Sequence, residues 1–153
     1  MDYVISALTA ADEPILWEML YQGLQTTGGE AGPSRDMIRR PEFARYVKGW
    51  GRVGDTGFLA RDTNSGELLG AVWMRSPARA RRETPELALA VKPGHRRRGI
   101  GATLLTQLVK ANSQHSSVSI RGSANNPAVR LYERFGFKVV QQSEQAVTMS
   151  RKV

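Results

Sequence analysis

The chain has 153 residues, 41% of them hydrophobic and 24% charged, which suits one globular domain, residues 1–153, with a continuous core. It has no cysteine, which excludes a disulfide framework, a thiolate metal site and any route through an enzyme-bound thioester. Its 22 Lys and Arg outnumber 14 Asp and Glu, and the net charge of +8 favours an anionic partner: nucleic acid, anionic lipid or a phosphorylated small molecule.

The first residues, Met1 to Ser6, show no basic segment leading into an apolar stretch. No apolar run approaches the roughly 18 residues that span a bilayer. A cytoplasmic protein without a membrane partner is therefore expected. Tyr3 to Leu8 alternates loosely and reads as a strand. Thr9 and Asp12 form a capping box ahead of Ile15, Leu16, Met19 and Leu20, which share a helical face. Gly23 through Pro33 reads as a loop. A second helical stretch carries Met37, Ile38, Phe43 and Val47 as apolar positions, with Pro41 interrupting it, and Gly49-Trp50-Gly51 ends it. Phe58–Arg61 and Leu68–Met74 flank the turn signal Asp62-Thr63-Asn64-Ser65-Gly66 and predict a β-hairpin.

A basic connection follows from Pro77 to Pro85, with Arg79, Arg81 and Arg82. Glu86 to Val91 reads as a strand buried on both faces. From Gly99 a helix is predicted with Ile100, Leu104, Leu108 and Ala111 turned inward. Ser117–Arg121 is a short strand. Asn126-Pro127 resembles an N-cap with proline at the first helical position, before Ala128, Leu131, Tyr132 and Phe135 on one face. Gly136-Phe137 supplies a glycine C-cap. Phe137–Val140 and Ala146–Met149 close the chain as strands. The expected class is α/β with a mixed sheet, in the order β-α-α-β-β-β-α-β-α-β-β, centred on a parallel, right-handed βαβ crossover.

The charge is densest where it meets glycine, in His95-Arg96-Arg97-Arg98-Gly99-Ile100-Gly101-Ala102 between the predicted strand and helix. The first N–H groups of a helix lack intrahelical partners, and the helix dipole places partial positive charge there. Glycines let a ligand approach that backbone, and arginines add charge-assisted bonds, so the segment is an anion site. A Walker A loop would need Lys-Ser/Thr after the second glycine, where Ile100-Gly101 stands. A dinucleotide fingerprint would need glycine in place of Leu104 and an acidic residue about 20 residues on. The coenzyme A turn, Arg/Gln-x-x-Gly-x-Gly/Ala, is matched in full by Arg96-x-x-Gly99-x-Gly101.

From Glu86 to Phe137 the sequence resembles the Gcn5-related N-acetyltransferase (GNAT) superfamily: Leu89-Ala90-Val91, then the turn and helix, then Asn125-x-x-Ala128-x-x-Leu131-Tyr132-x-x-x-Gly136-Phe137. The resemblance implies the acyl-CoA N-acyltransferase fold and transfer of an acetyl group from acetyl-CoA to a primary amine by direct attack, with no metal. It implies that the fourth strand bulges and splays from the fifth, and that Leu89, Ala90 and Val91 hold the pantetheine arm. The Val91 N–H would polarise the thioester carbonyl. Arg97, Arg98, Gly99, Ile100, Gly101 and Ala102 would hold the pyrophosphate together with Arg96, and Asn125 would meet the pantetheine arm. Tyr132 would protonate the leaving thiolate; on periodicity alone it is equally a core residue.

One branch of the family carries a glutamate base on the fifth strand, at the position of Ile120 here, which leaves Glu86 as the carboxylate for that task, acting through water. His95 and His115 are lone surface histidines. The acceptor, a small molecule or a peptide amine, is expected among residues 22–57, including Tyr46 and Trp50, with Trp73. A homodimer is allowed. Two other readings stay open: an acyl-CoA-binding module without turnover, and a basic nucleic-acid-binding domain, for which no accompanying motif is present.

Overall fold

The computed structural model describes residues 3–24, 34, 36–52, 54–75, 86–92, 99–111, 117–122, 132–142 and 147–152. Strands β1 (Tyr3–Ala7), β2 (Thr56–Asp62), β3 (Leu68–Arg75), β4 (Glu86–Val91), β5 (Ser117–Gly122), β6 (Lys138–Gln142) and β7 (Val147–Lys152) form one sheet in the order β1-β2-β3-β4-β5-β7-β6. Every neighbouring pair is antiparallel except β4 and β5, which are parallel and joined through helix α2 (Ile100–Ala111). The expected strands and the parallel crossover are present; of the helix expected from Asn126-Pro127, only its end, residues 132–134, falls among the described residues.

Helix α1 (Glu13–Leu24) is entered through a 3-10 turn, Ala10–Asp12. Asp12 Oδ2 accepts the Thr9 N–H at 2.7 Å and the Thr9 hydroxyl at 3.2 Å, and the Asp12 N–H returns to the Thr9 carbonyl at 3.0 Å. This is the capping box read from the sequence. Leu16, Trp17, Met19 and Leu20 are buried while Ile15 is only half-buried. The second helical stretch is shorter than its pattern suggested: a 3-10 turn at Met37–Arg39 and one α-turn at Pro41–Ala44, with Pro41 opening it. Proline is accommodated at a helix start, and it splits the pattern there. Met37 is 37% exposed and falls outside the core, which takes Ile38, Ala44, Val47 and Trp50 instead.

Two apolar clusters lie on opposite faces of the sheet. One packs α2 (Ile100, Leu104, Leu105, Leu108) on Leu69, Val72, Met74 and Leu87, together with Tyr3, Tyr132 and Phe137. The other packs α1 and the segment 38–50 on Leu59, Ala71, Trp73 and Ala90. The inward face of α2 thus includes Leu105, and Ala111 is exposed rather than buried. Strand β4 serves both clusters, Leu87 toward α2 and Ala90 toward α1, which is the two-sided burial its unbroken apolar run implied. In the hairpin turn, Asp62 Oδ1 accepts the N–H groups of Asn64 and Ser65 at 2.8 and 2.9 Å, and Gly66 takes φ +75°.

Candidate active site

Strand β4 is paired to β3 along its whole length, from Glu86 opposite Arg75 to Val91 opposite Gly70. It pairs with β5 only at Glu86–Ser119 and Leu87–Ile120. Beyond that point β5 stays with β7, through Arg121–Thr148 and Gly122–Val147. The sheet therefore splits between β4 and β5 after Leu87. No register shift interrupts the β3–β4 ladder, so the splay expected from the sequence resemblance is present without the expected bulge in that ladder.

Alternation of the antiparallel ladder tells which backbone groups line the split. The Lys92 N–H donates to the Leu69 carbonyl at 2.9 Å. Successive residues turn their N–H and C=O to opposite neighbours, so Ala90 and Ala88 also face β3 while Leu87, Leu89 and Val91 face the β5 side. Leu87 meets β5 there; Leu89 faces the opening. Gly70 allows the close approach of β3 behind this edge, because a Cβ on it would lie 2.8 Å from the Ala90 carbonyl oxygen.

The head of α2 follows β4 in the chain. Gly99 takes φ +77°, a left-handed conformation that favours glycine. Its carbonyl accepts the first helical bond, from the Thr103 N–H at 3.0 Å, and also the Thr103 hydroxyl at 3.0 Å. The N–H groups of Ile100, Gly101 and Ala102 precede that bond and have no helical acceptor. Ile100 is 1% exposed and anchors the turn in the core, whereas Gly99 is exposed. Arg96, Arg97, Arg98 and Asn125, also singled out from the sequence, lie outside the described residues.

Tyr132 shares the cluster of Leu87 and Ile100, so one apolar body carries the residue at the split, the residue at the helix head and this phenol. Its position is set by a glycine cap. With Gly136 at φ +90°, the Phe137 N–H donates to the Tyr132 carbonyl and the Gly136 N–H to the Glu133 carbonyl, both at 3.0 Å. The Phe137 ring then lies 5.9 Å from that of Tyr132. Tyr132 is 6% exposed, and burial pushes its phenol pKa well above the ordinary value. Among the described residues its hydroxyl has no hydrogen-bond partner. Glu86 begins β4, at the paired end of the split.

The aromatic residues expected around an acceptor are mostly core. Trp50 and Trp73 are 7% and 1% exposed, and their indole N–H groups are satisfied by the carbonyls of Thr9 at 3.0 Å and Tyr46 at 2.9 Å. Tyr46 is half-buried, with the Arg45 guanidinium 4.4 Å from its ring centre. An open groove of about 520 Å³ lies elsewhere, between Glu13, Pro14, Trp17 and Arg39. There Glu13 accepts the Trp17 indole N–H at 3.1 Å and Arg39 covers the ring at 3.9 Å. Among the described residues no cluster of His, Cys, Asp or Glu is arranged for a metal, and no helix is long and apolar enough to cross a membrane.

Sequence reading passed over Thr103, Tyr3 and Gly70. Thr103 carried a legible signal, a hydroxyl one helical turn after Gly99. Tyr3, 2.9 Å from the Thr103 hydroxyl, and Gly70, against Ala90, meet segments distant in the chain and leave no local trace.

Residues 17–137 match the model of the acetyltransferase (GNAT) family. The fold is shared with PaiA N-acetyltransferase from Thermoplasma acidophilum, solved with coenzyme A, at 19% identity and a TM-score of 0.74 over 100% of both chains. It is also shared with the ribosomal-protein-S18-alanine N-acetyltransferase from Escherichia coli (19% identity, TM-score 0.67, 99% of this chain and 94% of that one). A phosphinothricin acetyltransferase from Sinorhizobium meliloti, solved with AcCoA, superposes at 21% identity and TM-score 0.67, over 100% of this chain and 89% of that one.

Proposed function

The chain belongs to the acetyltransferase (GNAT) family, and from that premise we propose that it moves an acetyl group from acetyl-CoA to a primary amine by direct attack. The observation that carries this reading is the split between β4 and β5 beyond Leu87. It leaves the Leu89 edge facing an opening, with the N–H groups of Ile100, Gly101 and Ala102, which have no helical acceptor, at the head of the crossover helix that follows the same strand. A chain-like ligand with a diphosphate at one end suits that combination: its arm would complete the ladder, and its anion would meet the helix start.

Leu89 and Val91 would present their edge to the pantetheine arm, while Ala90, expected to share that role, is turned to β3 and backs the wall; residues 96–102 would seat the diphosphate, with Asn125 along the arm. Acetyl-CoA supplies the activated acyl group as a thioester. An N–H on the split edge of β4 would polarise the thioester carbonyl. As the amine nitrogen bonds to the carbonyl carbon, the carbon–sulfur bond breaks. Glu86, through water, would take the proton the attacking amine must lose. Tyr132 would donate its hydroxyl to the departing thiolate.

A phenol is protonated at neutral pH, as a donor must be, and burial makes that of Tyr132 a weaker acid than usual. An unperturbed phenol near 10 already lies about 1.5 units above a thiol near 8.5, equivalent to about 2 kcal/mol. Tyr132 is accordingly assigned to stabilising the thiolate by a hydrogen bond, with proton transfer completed as that sulfur loses its own solvent.

The acceptor is an amine presented from the α1 side. The structural relatives named above act on different amines, an alanine of a ribosomal protein and phosphinothricin among them. The test is release of free CoA from acetyl-CoA over a panel of amino acids, polyamines, aminoglycosides and peptide N-termini. Steady turnover with one class supports the reading. Binding of acetyl-CoA with no turnover across the panel would return the chain to a non-catalytic acyl-CoA module.

A further inference from the structure

We propose that Tyr3 and Thr103 are positioning residues for the diphosphate seat, forming a hydroxyl chain that runs from the edge strand of the sheet to the peptide group at the head of α2. This rests on the reading that the turn binds CoA, and extends it to residues that touch no part of the ligand.

The hydroxyls of Tyr3 and Thr103 lie 2.9 Å apart, and the Thr103 hydroxyl lies 3.0 Å from the Gly99 carbonyl oxygen. The direction of the chain follows from counting protons. A carbonyl only accepts, so the single Thr103 hydroxyl proton goes to Gly99. The Tyr3 hydroxyl must then donate to Thr103 Oγ1. Gly99 O also accepts the Thr103 N–H at 3.0 Å, so two donors converge on one carbonyl.

That carbonyl belongs to the same planar peptide unit as the Ile100 N–H, which points the opposite way, out of the helix start. Holding Gly99 O toward the helix body holds the Ile100 N–H toward an incoming anion. Two donors on the oxygen polarise the peptide and make its N–H a better donor, and Tyr3 polarises Thr103 in turn. The fixing is needed at this place. Gly99 takes φ +77°, and as a glycine it has no side chain of its own to restrain it. Tyr3 is 7% exposed and packed in the α2 cluster, so the far end of the chain is anchored in the core.

The test compares two donors, acetyl-CoA and S-acetylpantetheine, which lacks the diphosphate. In Tyr3→Phe and in Thr103→Val, affinity for acetyl-CoA should fall about two- to fivefold, the scale of one modest hydrogen bond. The KM for S-acetylpantetheine and kcat at saturating acetyl-CoA should stay at the wild-type values. The double variant should lose no more than the worse single one, because both cut one chain, and Thr103→Ser should restore affinity. Equal losses with both donors, additive losses, or no loss in either variant would overturn the proposal. If wild-type protein does not bind CoA, the underlying site is what fails, and that is read before any variant is made.

Discussion

The Arg75 guanidinium meets the Asp55 carboxylate at 3.0 Å with their side chains 7% and 3% exposed, a buried ion pair at the end of β3. Arg75 also donates to the carbonyls of Arg45, Lys48 and Gly49 at 3.2, 2.8 and 3.3 Å. Asp55 Oδ2 accepts the N–H groups of Gly51 and Arg52, each at 3.0 Å. A segment with little regular structure is thereby fastened to the sheet by one charge pair.

Removing either partner strands the other in a dry place. Asp55→Ala and Arg75→Met should each destabilise the fold by about 3–5 kcal/mol. The double variant should lose clearly less than the sum, as read by urea unfolding. Additive losses would mean that the two side chains act separately.

Gly70→Ala places a Cβ 2.8 Å from the Ala90 carbonyl oxygen and 3.3 Å from Val91 Cα. Strand β4 must then shift at the split. A loss of about 1–3 kcal/mol is expected from overpacking, together with a raised KM for acetyl-CoA. Gly66→Ala is the control: it has φ +75° with nothing within 4 Å, so it strains the backbone and should leave that KM alone.

Gly101→Asp separates stability from binding by sign. A carboxylate in the first turn of α2 favours the helix dipole by about 0.3–1 kcal/mol, so the melting temperature without ligand should hold or rise. The same charge repels a diphosphate, and the thermal shift with acetyl-CoA should vanish. A retained shift would remove the turn from the binding site.

Tyr132→Phe should lower kcat by about 100-fold, in the range of a lost proton donor, with acetyl-CoA affinity nearly unchanged. The variant also has a stability signature. Burial raises the folded-state pKa, so the folded protein holds a proton that the unfolded chain releases above about pH 10. The stability from this group is complete below that pH and declines above it, by up to about 1.4 kcal/mol per pH unit. Phenylalanine should make the alkaline decline shallower by that amount, as measured by unfolding between pH 9 and 11.

The elements that sequence reading located are those written in local chemistry. Thr9 with Asp12, Asp62 through Gly66, and Gly136 with Phe137 each satisfy their bonds within a few residues, so their signals sit together in the chain. The crossover from Glu86 to Ile120 was legible because an apolar run, a glycine turn and a helical stripe stand in succession. The insertion of β7 between β5 and β6 was not, since strand order depends on pairings between distant segments. Leu105 is buried beyond the expected stripe because the sheet beneath α2 covers a face broader than one line of residues, and Ala111, the last residue of the helix, is exposed. Trp50 and Trp73 belong to the core and not to a pocket wall because carbonyls distant in the chain, those of Thr9 and Tyr46, satisfy their indoles.

The early parting of β4 from β5 has a consequence for solvent exchange. Central strands normally hold their amide protons longest, because only global opening releases them. Here the Leu89 amide sits in the fourth position of a seven-stranded sheet yet faces the opening, so its deuterium uptake should resemble that of a rim. Filling of the cleft by acetyl-CoA should slow that uptake, giving a residue-level signal of donor occupancy that needs no knowledge of the acceptor.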